Sequence, residues 1–259
     1  MRLPDGAVDV WYGRPRRPAA EDLAVLSADE RNRVHVLHES VGADYAAAHA
    51  GVRRVVAGYL GVAPDRLRLG RALCPECADP AHGPPTVLWP RTELVYNLSR
   101  SAGHWLLGIG RGSALGVDVE ASPRVNPEQT APMAFTPSEL AQLMDRTGAA
   151  RMELFLRCWT RKEAVVKAVG VGLAADLCRI EVRPEIAEPV QVDFGLGPGP
   201  RSWTVQGLDL GPGVTGALAR AAGSTGPVRV LRYDVDPVPG GSPRPAGSSN
   251  QTLLSEGRL

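Results

Sequence analysis

Apolar and polar residues alternate along Ala7–Tyr12, the period of a half-buried strand. Glu21–Ser40 sets Leu23, Leu26, Val34 and Leu37 among charges and predicts one or two short helices. A stronger helix is predicted over Tyr45–Leu60, stopped by Gly61 and Pro64. Arg71–Pro90, dense in Pro, Cys and Gly, reads as loop. Leu94–Asn97 and Trp105–Gly108 read as strands around a Ser-Arg-Ser-Ala-Gly turn, and Leu115–Glu120 as another strand. Ala121–Pro137 reads as a Pro-rich loop. Ser138–Met144 begins a helix capped at Thr136 or Ser138, with Pro137 near its first turn. Ala150–Val169 is the longest helical pattern. Ile180–Val182, Val190–Phe194, Trp203–Leu208 and Gly216–Ala219 are strand candidates. Asp236–Leu259 is Pro, Gly, Ser and Asn with little apolar content, which predicts a disordered tail.

Each half therefore offers a few strands and one long helix. The glycine-rich turn at Arg111–Gly112 suggests a boundary there, giving an N-terminal half 1–111, a C-terminal half 112–235 and the tail 236–259. A chain of 259 residues has ample surface for a buried core. Its net charge of +1 implies no bulk attraction to nucleic acid or to a membrane surface. The first ten residues hold Arg2, Asp5 and Asp9, which does not suit a secretory signal. No stretch approaches the roughly 20 apolar residues of a spanning helix. The expectation is a cytoplasmic protein whose four cysteines (74, 77, 158 and 178) are reduced thiols.

The chemistry concentrates in two runs. Gly116-Val117-Asp118-Val119-Glu120 puts two carboxylates two residues apart on a strand, so both leave the same face. Like charges so placed call for a cation, and a hard divalent ion such as Mg2+ suits them; a solvated polar face is the bland alternative. The second run is Trp159-Thr160-Arg161-Lys162-Glu163-Ala164-Val165-Val166-Lys167. On a helix, Leu154, Cys158, Val165 and Val169 form one stripe, which is the core face. Trp159, Glu163 and Lys167 form another. An exposed Glu163–Lys167 pair stabilises a helix by a few tenths of a kcal/mol (~0.2–0.5), but a Trp on that stripe needs a contact.

These two runs together resemble the paired signature of the phosphopantetheinyl transferase superfamily. The length and two-half organisation are similar to its surfactin-synthetase (Sfp-like) type. Gly170-Val171-Gly172-Leu173 and Asn97-Leu98-Ser99-Arg100-Ser101 fit the same pattern, and weaker similarity extends the resemblance over about residues 7–220. The resemblance implies an α+β fold of two pseudo-symmetric halves, each a small, mainly antiparallel sheet on a long helix, with the active site in the cleft between them. It implies a monomer that moves the phosphopantetheine arm of coenzyme A, the co-substrate, onto a serine of an acyl or peptidyl carrier protein, in polyketide or nonribosomal peptide biosynthesis. Asp118, Glu120 and Glu163 would hold Mg2+; Glu163 would take the serine proton, and Lys167 would stabilise the leaving phosphate. Ser99, Arg100, Arg31, Arg33 and Lys162 would contact the nucleotide, Lys162 least directly. Arg157 and Arg161 flank the catalytic stripe and would meet an acidic carrier surface, with Met133 and Phe135 adding apolar contact.

The sequence departs from that family at three places. Arg100 stands where the family's turn has His, Pro84 where it has Lys or Arg, and Asp44-Tyr45-Ala46 where a basic residue is common. Two other readings follow: a member acting on another pyrophosphate or phosphopantetheine-bearing partner, such as a holo carrier, or a non-catalytic carrier-binding module. Cys74-x-x-Cys77 with His82 has part of a zinc set but no second pair, so a reduced, loop-packing pair is the default. His104 reads as structural. No Gly-x-x-x-x-Gly-Lys-Ser/Thr phosphate loop is present.

Overall fold

The computed structural model describes residues 1–80, 82–121, 126–172, 175–196 and 199–234. The expected tail at 236–259, and Leu173, lie outside the described residues. The fold is α+β. One four-stranded sheet runs in the order β10-β1-β5-β4, from Val228–Tyr233, Val8–Gly13, His104–Arg111 and Leu94–Ser101. A second runs β6-β9-β8-β7, from Leu115–Glu120, Thr215–Ala221, Ser202–Asp209 and Val190–Asp193. Every pairing in these two sheets is antiparallel except β1 with β10. A hairpin of β2 (Arg68–Arg71) and β3 (Pro85–Trp89) stands apart. Each large sheet is served by one 22-residue helix, α3 (Glu39–Leu60) or α6 (Gly148–Val169). Among the described residues no helix is long and apolar enough to cross a membrane.

The alternation that predicts β1 acquires a second meaning in place, because all six of its residues are buried. Val8, Val10 and Tyr12 face a core shared with Leu115, Val117 and Val119 of β6. Trp11 faces the core under α3. Asp9, on that same side, is 1% exposed and is held by Arg229 at 2.6 Å and by the hydroxyl of Tyr59. Trp105 fills the space left by two glycines: a Cβ on Gly13 or Gly51 would come within 2.0 or 2.6 Å of its ring.

Several elements differ from the sequence expectation. Arg71–Pro90 contains β3, whose Val87 packs on the α3 core. Ala121–Pro137 contains helix α4 (Pro127–Ala134); Asn126 caps it and Pro127 opens it, so prolines read as loop signals are helix starters. Ile180–Val182 is not a strand: the Val182 amide donates to Glu139 and its carbonyl accepts from Arg161. The last strand, β10, lies in the sheet of the first half, beside β1. α5 (Pro137–Met144) matches its predicted cap, with Thr136 and Glu139 exchanging the two bonds of a capping box. The remaining helices are α1 (Ala20–Val25) and α2 (Ala28–Val36).

Candidate active site

One face of the first sheet packs against β6, an edge strand of the second, and side chains of β4 bridge to it. Asn97 accepts the Val117 amide at 3.1 Å. Two residues on, Ser99 donates to Asp118 Oδ1 at 2.7 Å; two further, Ser101 donates to Glu120 Oε2 at 2.6 Å. Alternation puts Asn97, Ser99 and Ser101 on one side of β4, and Asp118 and Glu120 on one side of β6. Val117 and Val119, on the other face, are wholly buried and fix the register.

Helix α6 lies directly on β6. A Cβ on Gly116 would sit 2.1 Å from the Ala164 carbonyl and 2.4 Å from the Ala168 amide, so only glycine allows this approach. It brings Lys167 to Asp118: Nζ lies 2.5 Å from Oδ1 and 2.9 Å from the Ser99 hydroxyl. Trp159 stacks on Phe155 at 6.4 Å. That is the contact its position demanded.

The three carboxylates feel one another. Burial first, then the charges of Asp118 and Glu120, raise Glu163 to about 7 against the pull of Lys167. Glu120 is raised too, by burial and by Asp118, while Ser101, Lys167 and Trp159 oppose the rise. Asp118 Oδ2 is buried with no hydrogen-bond partner. Among the described residues no three His, Cys, Asp or Glu side chains are gathered tightly enough to cage a metal ion. Mg2+ does not require such a cage, since it is held by one or two carboxylates together with water and substrate phosphates. An orphaned buried carboxylate oxygen beside two carboxylates raised in pKa fits that donor set.

A cleft of 490 Å³ opens beside this floor, lined by Tyr45, His49, Arg71, Pro84, Arg100 and Lys167 among others. A second hollow of 310 Å³, with Asp44, Ser99, Ser101 and His104, shares Arg100 and Lys167 with the first. Arg100 lies 5.0 Å over the Tyr45 ring, and Tyr45 stacks on His49 at 3.9 Å. Glu30 anchors the stack, bonding His49 at 3.3 Å and Arg53 at 2.6 Å. Burial opposes its ionisation, yet His49, the Ser27 amide and Arg53 together hold the Glu30 carboxyl at about 2.

The predicted residues divide into two groups. Asp118, Glu120, Glu163, Lys167 and Ser99 come together, and Arg100 stands at the cleft wall. Arg33 is exposed, and its charge reaches Tyr45 and Arg100. Arg31 is tied to the Leu26 carbonyl. Lys162 is corrected: it is 0% exposed, pairs with Glu139 at 2.7 Å and donates to the carbonyls of Leu177 and Ile180, so it cannot reach a phosphate. Arg161 is corrected likewise. It is buried, donating to the carbonyls of Val182, Arg183 and Ile186, and offers nothing to a docking partner. Arg157 is half-buried, bonded to Glu153 at 2.9 Å. Sequence reasoning missed Arg71, hidden in a presumed loop, and the Tyr45–His49 stack, whose i, i+4 spacing was the available signal.

Residues 114–220 match the model of the family described as the 4'-phosphopantetheinyl transferase superfamily. The chain is 28% identical over 199 residues to a 4'-phosphopantetheinyl transferase of Nostoc, covering 74% of this chain and 80% of that one. It is 30% identical to a phosphopantetheinyl transferase of Thraustochytrium, over 68% of this chain and 65% of the other. It is 35% identical to a 4'-phosphopantetheinyl transferase of Salmonella typhi, over 48% and 64%. The aligned stretch thus spans less than two thirds of the latter two relatives.

Proposed function

We propose that the chain, whose residues 114–220 match the model of the 4'-phosphopantetheinyl transferase superfamily, transfers the phosphopantetheine arm of coenzyme A to a serine of an apo acyl or peptidyl carrier protein. The observation that carries this reading is the seam where Ser99, Asp118 and Lys167 bond to one another beside Glu163 and Glu120. The reading includes the Sfp-like, two-half monomer and a cytoplasmic setting.

In this proposal Asp118, Glu120 and Glu163 hold Mg2+. When bound, the ion supplies charge neutralisation to the pyrophosphate oxygens. Glu163 accepts the serine proton; its carboxyl, raised to about 7 without metal, would be kept ionised for that task by the bound ion. Lys167 holds its ammonium at the junction of both hollows, where a leaving phosphate would gather charge. Ser99 orients Lys167 and Asp118. Arg100 stacks on Tyr45 and, with Arg33, offers the donor's phosphates planar, permanent charge.

The departure at Pro84 favours the second reading, a different pyrophosphate-bearing donor. Arg71 weighs against it, because it brings a cation to the same wall, bonded to the carbonyl of Gly83 at 2.8 Å. Intact-mass measurement of an apo carrier protein after incubation with coenzyme A and Mg2+ tests the reading. A phosphopantetheine adduct that forms with the native enzyme and not with Glu163→Gln supports it. Transfer that persists undiminished in Glu163→Gln sinks the assignment of the base. Absence of any coenzyme A binding by titration calorimetry sinks coenzyme A as donor.

A further inference from the structure

The loop between β2 and β3 carries a cluster the transfer chemistry does not use. The Ala78 amide donates to the Cys74 carbonyl at 2.9 Å, and the Cys74 amide donates to the Asp79 carbonyl at 3.2 Å, closing a tight turn. The backbone amides of Cys77 and Glu76 hold the Cys74 thiol below its ordinary value, while, against the amide of Asp79, the Cys74 sulfur and burial raise the Cys77 thiol. Ala78 holds φ at +56°, a left-handed conformation that a residue with a Cβ adopts only where its turn dictates it. His82 then comes back over the turn: its Nδ1 lies 3.4 Å from Cys77 Sγ. Its other nitrogen, Nε2, lies 3.7 Å from the Asp79 carboxylate. A carboxylate on the far nitrogen of an imidazole is the usual outer support of a metal-binding histidine.

We propose that Cys74, Cys77 and His82 form a zinc site, with Asp79 orienting His82 and water completing the coordination. Two thiolates and an imidazole suit zinc better than a hard cation. Binding releases both thiol protons. Among the described residues no such trio is yet gathered at liganding distance. Closure therefore draws His82 inward, which a side chain 63% exposed is free to do. The consequence reaches the main cleft. His82, Gly83 and Pro84 form part of its wall, and Arg71 hangs on the Gly83 carbonyl, so zinc would fasten the wall that presents Arg71.

The test is elemental analysis of protein purified without chelator, joined to thiol titration before and after chelation. About one zinc per chain is expected, with two thiols masked until the metal is removed. Cys77→Ser, at an exposed position, should lose the zinc while circular dichroism shows the fold intact. Cobalt(II) substitution gives an independent reading, because two thiolates produce an intense sulfur-to-metal charge-transfer band. Zinc-free protein in which both thiols titrate freely overturns the proposal, and so does a mass two hydrogens lower from a Cys74–Cys77 disulfide. None of these readouts depends on transferase activity, so the outcome is separable from that of the transfer reaction.

Discussion

Replacing Glu163 by Gln should separate stability from activity. Burial, then Asp118 and Glu120, lift this carboxyl from its usual 4.5 to about 7. A rise of that size is a penalty of about 3 kcal/mol on the charged form. The fold favours the neutral acid, so this contribution is complete below about pH 4.5 and is lost as pH climbs through about 7. Metal-free native protein should therefore lose up to about 3 kcal/mol between about pH 5 and pH 8 on account of this group. Glutamine, of the same shape and always neutral, should not. Urea unfolding in chelator at both pH values measures the difference, and comparing the two proteins cancels other titrating groups such as Glu120. At the higher pH the variant should be the more stable protein, while transfer falls by about 10²–10⁴-fold for want of the base. Mg2+ added at that pH should stabilise the native protein and leave the variant nearly unmoved. Equal pH dependence in the two proteins would refute the coupling of Glu163 to its neighbours.

Substitutions at four other residues have outcomes set by the same geometry. Gly116→Ala must push α6 away from β6, because its Cβ meets the Ala164 carbonyl at 2.1 Å; a loss of about 1–3 kcal/mol in denaturant unfolding is expected, with activity falling faster than stability as Lys167 leaves Asp118. Lys162→Met strands Glu139 in the core and should cost about 3–5 kcal/mol by thermal or urea unfolding, with the donor KM unchanged among molecules still folded; a stable variant with a raised KM would return Lys162 to the phosphate. Arg71→Gln and Arg100→Gln should each raise the donor KM about tenfold or more in steady-state assays, the loss of a charged hydrogen bond, with little change in kcat.

How far the sequence carried these conclusions depended on whether a residue's role is local. Strand and helix periods placed Asp118 and Glu120, and Glu163 and Lys167, on shared faces, and the family resemblance then marked the four as one site. Thr136 was legible as a cap, but Glu139, which completes its capping box, was not. It also accepts the Val182 amide and pairs with Lys162, and both partners lie far along the chain. A lysine inside a catalytic run looks like a phosphate ligand until that distant acid is seen; the same holds for Arg161 and the carbonyls of residues 182–186. β10 escaped for a related reason. Its parallel place beside β1 is fixed by the Arg229–Asp9 pair, 220 residues apart in the chain, and no local period encodes it.

The seam between β4 and β6 explains why the cleft survives divergence at its rim. Three side-chain bonds two residues apart, from Asn97, Ser99 and Ser101, hold β4 on the face of one sheet to β6 at the edge of the other. The Val117 amide is satisfied there by Asn97 rather than by another strand, and a buried amide left unpaired would cost on the order of 1–3 kcal/mol. The hydroxyl that helps close the seam, Ser99, also sets Lys167 and Asp118, so seam and candidate catalytic floor are one structure. The cleft rim is under no such constraint. Arg100 belongs to β4, Arg71 to a separate hairpin, and Pro84 to the loop above it; each reaches the cleft from its own element. Charge lost at Pro84 can be restored from β2 without disturbing the floor. An intact carboxylate set beside altered phosphate contacts is then what this architecture permits: the floor is held by buried bonds that must be kept together, while the rim is assembled from independent pieces.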